Sequence, residues 1–357
     1  MSFEIDADLL TTPSDLETGA LIEAGWIEHI DAALVGSRAR GCVIGMDLGG
    51  TKLSGALADA TGTTLAMLEQ PTLNRGPEGV VDQIAGFVRE LIRQSGVDRS
   101  AVEHAALGVP GAVDRAGRVG LSPNVNFDPS ISLSSALEEM LRFPVAVEND
   151  GNLAAFGEMA VGRGRQRGTR SLVFLALGTG IGMGLILDGN IVRGHSGAAG
   201  EIGYLPFGPD PYAAAQDAVG GSFEAAAGSE AIRRSFAARS GDQRAVWEIF
   251  DLAESGDTTA RSVIDQVIDD IAVGVATTVA LIDPGLVVIG GGIGSRKGIA
   301  EAVGTRTARL IATPCEIVTS ALRDRAGAVG ALAYARRLAI CELLRGGIDP
   351  LPESPRS

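Results

Sequence analysis

At 357 residues the chain exceeds one compact core of ordinary size, so its length favours two domains or one large unit of two lobes. Hydrophobic residues make up 45% and charged residues 21%, which excludes a disordered chain. The formal charge of −14 argues against general binding to nucleic acid or to an anionic membrane, because both attract Lys and Arg.

Neither a membrane span nor a disulfide framework is predicted. No stretch reaches the roughly 18 uninterrupted apolar residues of a membrane helix, and the acidic opening MSFEIDADLL lacks the basic start of a secretory signal. Cys42, Cys315 and Cys341 lie far apart without a CxxC pair, so no thiolate metal site is visible. We therefore expect a cytoplasmic protein that does not enter a membrane.

The first part of the chain predicts an N-terminal extension and then an α/β lobe. Residues 1–41 are acidic and end in small and basic residues, ahead of a sudden apolar run. Glycine turns then separate three strands of an antiparallel meander. The elements expected in order are strands 42–47, 53–59 and 63–69, a helix from Pro77 to Ser95, strand 103–109, a helix over 133–142 with a Ser135-x-x-Glu138 capping box, strand 144–148 and a helix from Gly151.

The second part repeats this plan, which indicates an internal duplication. Strand 172–177, the turn Gly178–Gly180 and strand 181–187 reproduce the strand, glycine turn and strand of the first lobe. The remaining predictions are a loop over 194–221, helices over 223–237 and 258–281, strand 286–289, and helices over 297–311 and 328–344. We expect lobes at 42–163 and 164–327, with helix 328–344 packing back on the first lobe and a loose tail at 345–357.

Two glycine-rich hairpin turns predict a phosphate site. In the segment Asp47–Lys52, the backbone N–H groups of Gly49 and Gly50 can converge on an anion, and Thr51 and Lys52 add a hydroxyl and a cation. Asp47 could hold Mg²⁺ through water. Taken alone, these glycines are equally typical of a structural hairpin. The equivalent segment Gly178–Gly182, which includes Thr179, favours a nucleotide phosphate chain held across a cleft.

Asp150 is a candidate general base. It follows a β-branched run and precedes a helix, at the strand end where open α/β folds place ligands. A carboxylate there can accept the proton of a substrate hydroxyl, although Asp150 also fits a helix N-cap. The two phosphate turns favour the base.

These motifs together resemble the ROK (repressor, open reading frame, kinase) family, whose members are relatives of hexokinase and actin. The resemblance spans about residues 42–340. It rests on segments in the family's order: Asp47–Lys52, Gly108–Gly111, Ser122–Asn124, Glu148–Asn152, Gly178–Gly182, Ala199–Gly203 and Ile289–Gly292.

The resemblance implies a two-lobed actin-like ATPase (ribonuclease H-like) α/β fold and ATP-dependent phosphorylation of a hexose or N-acetylhexosamine. Asp150 would be the base, and Mg²⁺ and ATP the cofactors. By the same resemblance, Asn124, Asn149, Asp150, Glu201 and Glu224 would bind the sugar, and Gly291 and Gly292 would lie against adenosine. A homodimer or homotetramer is also implied.

The chain departs from the family at its zinc site. Family kinases usually carry His where Tyr204 stands, and a CxCGxxGC cluster where the chain reads QDAVGGS over 216–222. No thiolate or imidazole ligand remains there, so we predict no zinc and expect other packing to order residues 204–222. The absence of this His also removes a hydrogen-bonding partner of the sugar, so the identity of the sugar stays open.

The family contains sugar-sensing transcriptional regulators as well as kinases, and this alternative stays open. The segment Glu201–Pro206 looks more like the regulator branch. Regulators carry a winged helix-turn-helix of more than about 60 residues before the first phosphate loop, whereas an acidic segment of 41 residues precedes Cys42 here. Under this alternative the DNA-binding segment is truncated or a remnant, and DNA is a partner. The intact set of phosphate and base residues favours the kinase.

Overall fold

The structure is a computed structural model, and it describes residues 41–59, 62–73, 76–122, 125–217 and 220–345. The expectations for residues 1–40, for Asn124 and for residues 346–357 fall outside the described residues. Within the described ranges, every helix is too short or too polar to span a lipid bilayer.

Twelve strands form two five-stranded sheets and a small two-stranded one in the described part of the chain. The strands are β1 (Cys42–Leu48), β2 (Lys52–Asp59), β3 (Thr64–Pro71), β4 (Val102–Val109), β5 (Ala112–Val113), β6 (Val119–Gly120), β7 (Val145–Asn149), β8 (Leu172–Leu177), β9 (Ile181–Leu187), β10 (Asn190–Ile191), β11 (Leu286–Gly290) and β12 (Glu316–Thr319).

The helices lie around these sheets. They are α1 (Gly76–Ser95), α2 (Leu133–Leu141), α3 (Asp150–Ala160), α4 (Arg163–Arg167), α5 (Pro211–Asp217), α6 (Ser222–Ala227), α7 (Ser229–Ser240), α8 (Val246–Ser255), α9 (Thr258–Ile282), α10 (Gly291–Gly294), α11 (Ile299–Leu310) and α12 (Ala326–Arg345). Short 3₁₀ turns cover Arg99–Ala101, Ile202–Tyr204 and Arg323–Arg325.

The two large sheets share one strand order, as the internal duplication predicts. The first runs β3-β2-β1-β4-β7 and the second β10-β9-β8-β11-β12. In each, a three-stranded antiparallel meander is extended by two parallel strands. The parallel strands of a sheet end at the same edge, so β1, β4 and β7 carry their C-terminal residues to one side. The glycine turns of the two lobes therefore occupy equivalent places.

Helix α12 returns from the second half of the chain to the first sheet. It packs on β1 and on α3. The approach is close enough that a Cβ on Gly45 would lie 2.2 Å from the Leu332 nitrogen, and one on Gly330 would lie 1.7 Å from the Leu153 oxygen. Glycine at both positions lets the helix reach the sheet and cross α3 in contact.

Three sequence predictions about elements are wrong. The expected helix over 223–237 is two helices, α6 and α7, because Gly228 between them is extended, with φ −78° and ψ 177°. The expected loop over 194–221 contains α5 and a 3₁₀ turn. The expected capping box is absent: Ser132 caps α2 by accepting from the Ser135 nitrogen, and Glu138 accepts from Val145 instead.

Candidate functional site

A cleft lies between the edges of the two large sheets. Its cavity has a volume of about 380 Å³, and residues of both halves of the chain line it. That volume falls in the range of small-molecule sites. Nine of the residues proposed from the sequence border this cavity: Asp47, Asn149, Asp150, Gly178, Thr179, Gly180, Glu201, Glu224 and Gly291.

The first glycine turn does not border the cavity. Gly49, Gly50, Thr51 and Lys52 are absent from its lining, as is Gly292. Lys52 Nζ lies 3.0 Å from Glu69 Oε2, with both side chains more than two-fifths exposed. The lysine predicted to meet phosphate is therefore held by a carboxylate across β2 and β3.

Asp150 is the first residue of α3 and is not its cap. Asn149 caps the helix, because its Oδ1 accepts from the Asn152 nitrogen at 3.0 Å while its Nδ2 donates to the Gly111 oxygen at 3.1 Å. Asp150 Oδ1 accepts from the adjacent Gly151 nitrogen at 2.7 Å. Burial raises the pKa of Asp150 to about 6, and the Gly151 hydrogen bond opposes this shift. The Asp150 carboxylate is therefore available in the cleft as a weak base.

Asp47 lies beside Asp150 at the end of β1. Burial and then the charge of Asp150 raise the pKa of Asp47 to about 7, while the charge of Lys52 lowers it. Two glycines leave room for this carboxylate: a Cβ on Gly327 would lie 2.5 Å from Asp47 Oδ2, and one on Gly108 would lie 3.1 Å from Oδ1. Two crowded carboxylates favour a bound proton or cation.

The donor set at Asp47 fits Mg²⁺ and does not resemble a closed metal cage. No group of three or more His, Cys, Asp or Glu residues that could hold a metal is present in the described ranges. Mg²⁺ commonly binds through one or two carboxylates, together with water and substrate phosphates. Asp47, with Asp150 next to it, provides such a partial set.

The side chain of Glu224 packs against the second glycine turn and accepts a hydrogen bond from it. Glu224 Oε2 accepts from the Ile181 nitrogen at 2.8 Å. A Cβ on Gly180 would lie 2.4 Å from that oxygen, and one on Gly220 would lie 1.9 Å from Glu224 Oε1. Because both positions are glycine, the carboxylate can lie against the turn and remain at the cavity.

Glu201 adds a further carboxylate at the same cavity. It precedes the 3₁₀ turn Ile202–Tyr204. Burial raises the pKa of Glu201, and the charges of Asp150 and Glu224 add to the effect. Acceptors of this kind, held close together, suit a ligand that presents several hydroxyl donors.

Hydrogen bonds and aromatic packing hold the described residues that follow Tyr204 against the start of α6. Ser222 Oγ donates to the Leu205 oxygen at 3.0 Å and accepts from the Phe207 nitrogen at 3.0 Å. The rings of Phe207 and Phe223 meet edge to face, with centroids 5.2 Å apart. These contacts tie the segment to the start of α6 at a place where the sequence offers no metal ligands.

An ion pair between the buried Glu148 and the partly exposed Arg193 connects the two halves of the chain next to Asp150. Arg193 Nε donates to Glu148 Oε2 at 2.5 Å, and the guanidinium also donates to the Tyr334 hydroxyl at 2.8 Å. Glu148 is only 2% exposed, and its Oε1 accepts from Asn152 Nδ2 at 3.0 Å. The end of β7 and the first turn of α3 are thus fixed from both sides.

The sequence analysis missed part of the lining. Leu121 and Tyr204 present exposed apolar surface there, and Arg323, Asp324 and Gly327 close another side. Gly327 belongs to the small-residue run AGAVGA at 326–331, which signals close packing at the start of α12. No local pattern marks Arg323 or Leu121, because the three-dimensional fold brings them to the cleft.

Comparison with known proteins gives one family. The sequence model of the ROK family matches residues 43–338. A glucokinase of Thermotoga maritima is 32% identical over 314 residues, which cover 81% of this chain and 95% of that protein. These matches extend over both sheets and the cleft between them.

Solved structures agree on the fold. A ROK family glucokinase from Streptomyces griseus, in complex with glucose and AMPPNP, is 27% identical with a TM-score of 0.69, over 83% of this chain and all of that one. A ROK family transcriptional regulator, a homolog of the E. coli MLC protein, has a TM-score of 0.74 at 22% identity, over 92% and 90% of the two chains. The second likeness concerns the fold alone.

Proposed function

This chain belongs to the ROK family, and on that premise we propose that it is a sugar kinase, which transfers a phosphoryl group from ATP to a hydroxyl of a hexose or N-acetylhexosamine. One observation carries the proposal: the cleft brings the Asp150 carboxylate, the Asp47 carboxylate and the second glycine turn to a single cavity. Phosphoryl transfer needs these parts, namely a base, a place for a cation and a backbone cradle for phosphate.

In this proposal Asp150 accepts the proton of the attacking sugar hydroxyl. Its carboxylate borders the cavity, and its raised pKa of about 6 lies close to the pH at which a general base works best. Asn149 holds the start of α3 as its cap and so fixes the position of Asp150. Asn149, Glu201 and Glu224 are proposed to bind the remaining hydroxyls, as is Asn124.

The nucleotide is proposed to lie on the other side of the cavity. The backbone of Gly178, Thr179 and Gly180 would hold the phosphate chain, and Gly291 with Gly292 would lie against adenosine. Gly291 approaches the end of β8 closely, since a Cβ there would lie 2.4 Å from the Leu177 oxygen. The absence of a side chain at Gly291 permits this close approach of the two backbones.

Asp47 would hold Mg²⁺ on the side of the first glycine turn. The ion would supply positive charge against the phosphate oxygens. Gly49, Gly50, Thr51 and Lys52 are proposed to meet the phosphates from the first lobe. Lys52 would then exchange Glu69 for phosphate, a modest cost because exposed ion pairs contribute about 0–1 kcal/mol.

The same proposal covers the organisation of the chain. Residues 42–163 and 164–327 would form the two lobes, with helix 328–344 as part of the first lobe and residues 1–41 and 345–357 as appended segments. We also propose that the protein is cytoplasmic and forms a homodimer or homotetramer.

A sugar panel tests this function. Purified protein with Mg²⁺ and ATP is offered hexoses and N-acetylhexosamines, and release of ADP is measured with and without each sugar. We expect release above the sugar-free background with at least one sugar. If no sugar raises it while the protein binds both ATP and a sugar, the alternative of a sugar-sensing regulator takes its place. Binding to its own upstream DNA, weakened by salt and altered by a sugar, would then be the expected finding.

A further inference from the structure

Arg323 has a backbone conformation that L-residues seldom adopt. Its φ is +55°, and four other described non-glycine residues share a positive φ: Leu121, Arg142, Asp188 and Asp283. Arg142 and Asp283 end helices α2 and α9, and Asp188 precedes Gly189 in the turn between β9 and β10. These three have ordinary turn or cap roles. Arg323 and Leu121 have neither role, and both border the cleft; of the two, Arg323 carries a charge.

Buried hydrogen bonds hold this conformation. The Arg323 nitrogen donates to Ser320 Oγ at 2.7 Å, and Ser320 Oγ donates in turn to Glu158 Oε1 at 2.5 Å. That carboxylate oxygen also accepts from the Leu322 nitrogen at 3.0 Å, and Glu158 is fully buried. The Ser320 nitrogen donates to the Ile289 oxygen at 2.8 Å. The arginine backbone is therefore anchored to α3 and to the end of β11.

The left-handed backbone conformation of Arg323 has an energetic cost that a turn with glycine at this position would avoid. A left-handed conformation is unfavourable for a non-glycine residue because its Cβ crowds the backbone, and glycine would remove that cost. Backbone strain of this kind concentrates at binding sites, where the surroundings enforce it. The residue held here ends in a guanidinium at the mouth of the cleft.

The guanidinium of Arg323 lies in a cavity whose other charged side chains in the described ranges are acidic. Five carboxylate side chains line the cavity: Asp47, Asp150, Glu201, Glu224 and Asp324. Arg323 is the one cationic side chain among the described lining residues. It is exposed, and in the described part of the chain it forms neither a side-chain hydrogen bond nor an ion pair. An anion that enters this cleft meets carboxylates and a single cation.

The position of Arg323 indicates which part of a bound nucleotide it would contact. The 3₁₀ turn Arg323–Arg325 contacts the turn Gly291–Gly294, the proposed adenosine side. Gly178 lies next to that turn, since a Cβ on Gly178 would be 3.9 Å from the Gly292 nitrogen. Arg323 is thus on the side of the cavity where the second glycine turn would hold phosphates.

We propose that Arg323 binds the phosphate chain of the nucleotide donor from the mouth of the cleft, with Ser320 and Glu158 as positioning residues that hold its backbone. The inference rests on the proposed function, because it takes a nucleotide to be the donor. Guanidinium groups suit this role because their planar donors match phosphate oxygens.

Direct binding tests the proposal independently of turnover. Calorimetry with Mg²⁺ present measures the affinity of wild type, Arg323→Gln and Arg323→Lys for AMPPNP, ADP and adenosine. We expect Arg323→Gln to weaken AMPPNP and ADP binding about tenfold, as for one charge-assisted contact, and to leave adenosine unchanged. Arg323→Lys should keep part of the affinity, and the difference should shrink at high salt. Arg309→Gln, an exposed arginine on α11, is the matched charge control and should bind like wild type.

A glycine variant separates binding from structure. Arg323→Gly should raise the unfolding temperature, because glycine adopts a positive φ freely, and should weaken AMPPNP as much as Arg323→Gln. A merely structural Arg323 would leave AMPPNP affinity unchanged in both variants, and that result overturns the inference. An equal loss for adenosine and AMPPNP also overturns it, because the phosphates would then have no special contact.

Failure of this inference differs from failure of the kinase proposal. If wild type binds AMPPNP with the expected dependence on Arg323 but phosphorylates no sugar, the inference stands and the kinase proposal fails. If wild type phosphorylates a sugar and Arg323→Gln binds AMPPNP normally, the kinase proposal stands and the inference fails. If wild type binds no AMPPNP, both are overturned.

Discussion

The two glycine turns have the same sequence logic but different surroundings. The turn at Gly178–Gly180 borders the cavity and is supported by Glu224, whose carboxylate accepts from the Ile181 nitrogen at 2.8 Å. The turn at Gly49–Lys52 lies outside the cavity lining, and its lysine pairs with Glu69 at 3.0 Å. The first lobe contributes the carboxylates of Asp47 and Asp150 to the cleft, whereas the second contributes the backbone of its glycine turn and the carboxylates of Glu201 and Glu224. Equivalent positions in a duplicated fold can therefore have unequal tasks.

The largest expected effect concerns a carboxylate of the first lobe. We expect Asp150→Asn to lower kcat about 10²- to 10⁴-fold, because the amide cannot accept the hydroxyl proton. The pH profile of the wild-type rate should rise through about 6, since the deprotonated form of Asp150 is the active one. Coupled ADP detection measures both, and calorimetry should find unchanged AMPPNP affinity. Full activity of the variant would show that Asp150 is not the general base.

A pair of glycine variants compares the two turns directly. Gly180→Ala would place a Cβ 2.4 Å from Glu224 Oε2, so the carboxylate must move away from the Ile181 nitrogen. We expect about a tenfold loss in kcat/KM for the sugar, as for one hydrogen bond to a charged group. Gly49→Ala meets only the Lys52 oxygen, at 3.4 Å, and should raise the KM of the nucleotide alone. Equal effects on the sugar KM would contradict the division of tasks between the turns.

The acidic side of the cleft should limit stability at neutral pH. An unfolded Asp titrates near 3.9, whereas Asp150 and Asp47 titrate at about 6 and about 7 in the fold. The folded state therefore binds these protons more tightly, and its stability falls as pH rises from the unfolded pKa to the folded one. Asp150→Asn and Asp47→Asn should thus unfold a few degrees higher than wild type above this window, and the gain should vanish below it.

Thermal unfolding without Mg²⁺ and nucleotide, measured across this pH window, checks the stability prediction. Glu230→Gln is a suitable control because that carboxylate is exposed on α7. A constant difference between each cleft variant and wild type at all pH values would show that these carboxylates do not titrate as described.

The smallest expected effect concerns the segment beside the second turn. Ser222→Ala removes the hydroxyl that bridges the Leu205 oxygen and the Phe207 nitrogen, at a cost of about 1–3 kcal/mol for the unpaired groups. Thermal unfolding and limited proteolysis between 204 and 222 measure the loss. Ser255→Ala, at an exposed serine on α8, should have no such effect. Unchanged proteolysis of Ser222→Ala would mean that the aromatic pair alone orders the segment.

Much of the fold was predictable because its signals are local. Apolar strands separated by glycine turns predicted the first meander and the first two strands of the second, and the structure places strands at 42–48, 52–59, 172–177 and 181–187. The small strand β12 escaped because four residues carry little periodicity. The helix break at Gly228 escaped for another reason: it lets Ser229 Oγ donate to the Thr179 oxygen at 3.1 Å, a contact between distant segments.

The candidate site was predictable where a motif names the residue type that the chemistry needs. Asp47, Asp150 and the second glycine turn were found in this way, and they meet at the cavity. Their detailed roles stay predictions. The cap of α3 is Asn149, a choice between neighbours that local sequence leaves open and that packing against Gly111 decides.

The sequence by itself determined the family and the duplicated α/β plan, and it named candidates for phosphate binding and proton transfer, because these depend on local pattern and chemical type. The tertiary structure alone decided which of these residues share a cavity, which turn faces it, and that Arg323 is its cation. Residues 323 and 47 are far apart in the chain, and only the return of α12 to β1 brings Gly327 against Asp47 and the preceding turn to the cleft. No local signal encodes a contact between segments so far apart in the chain.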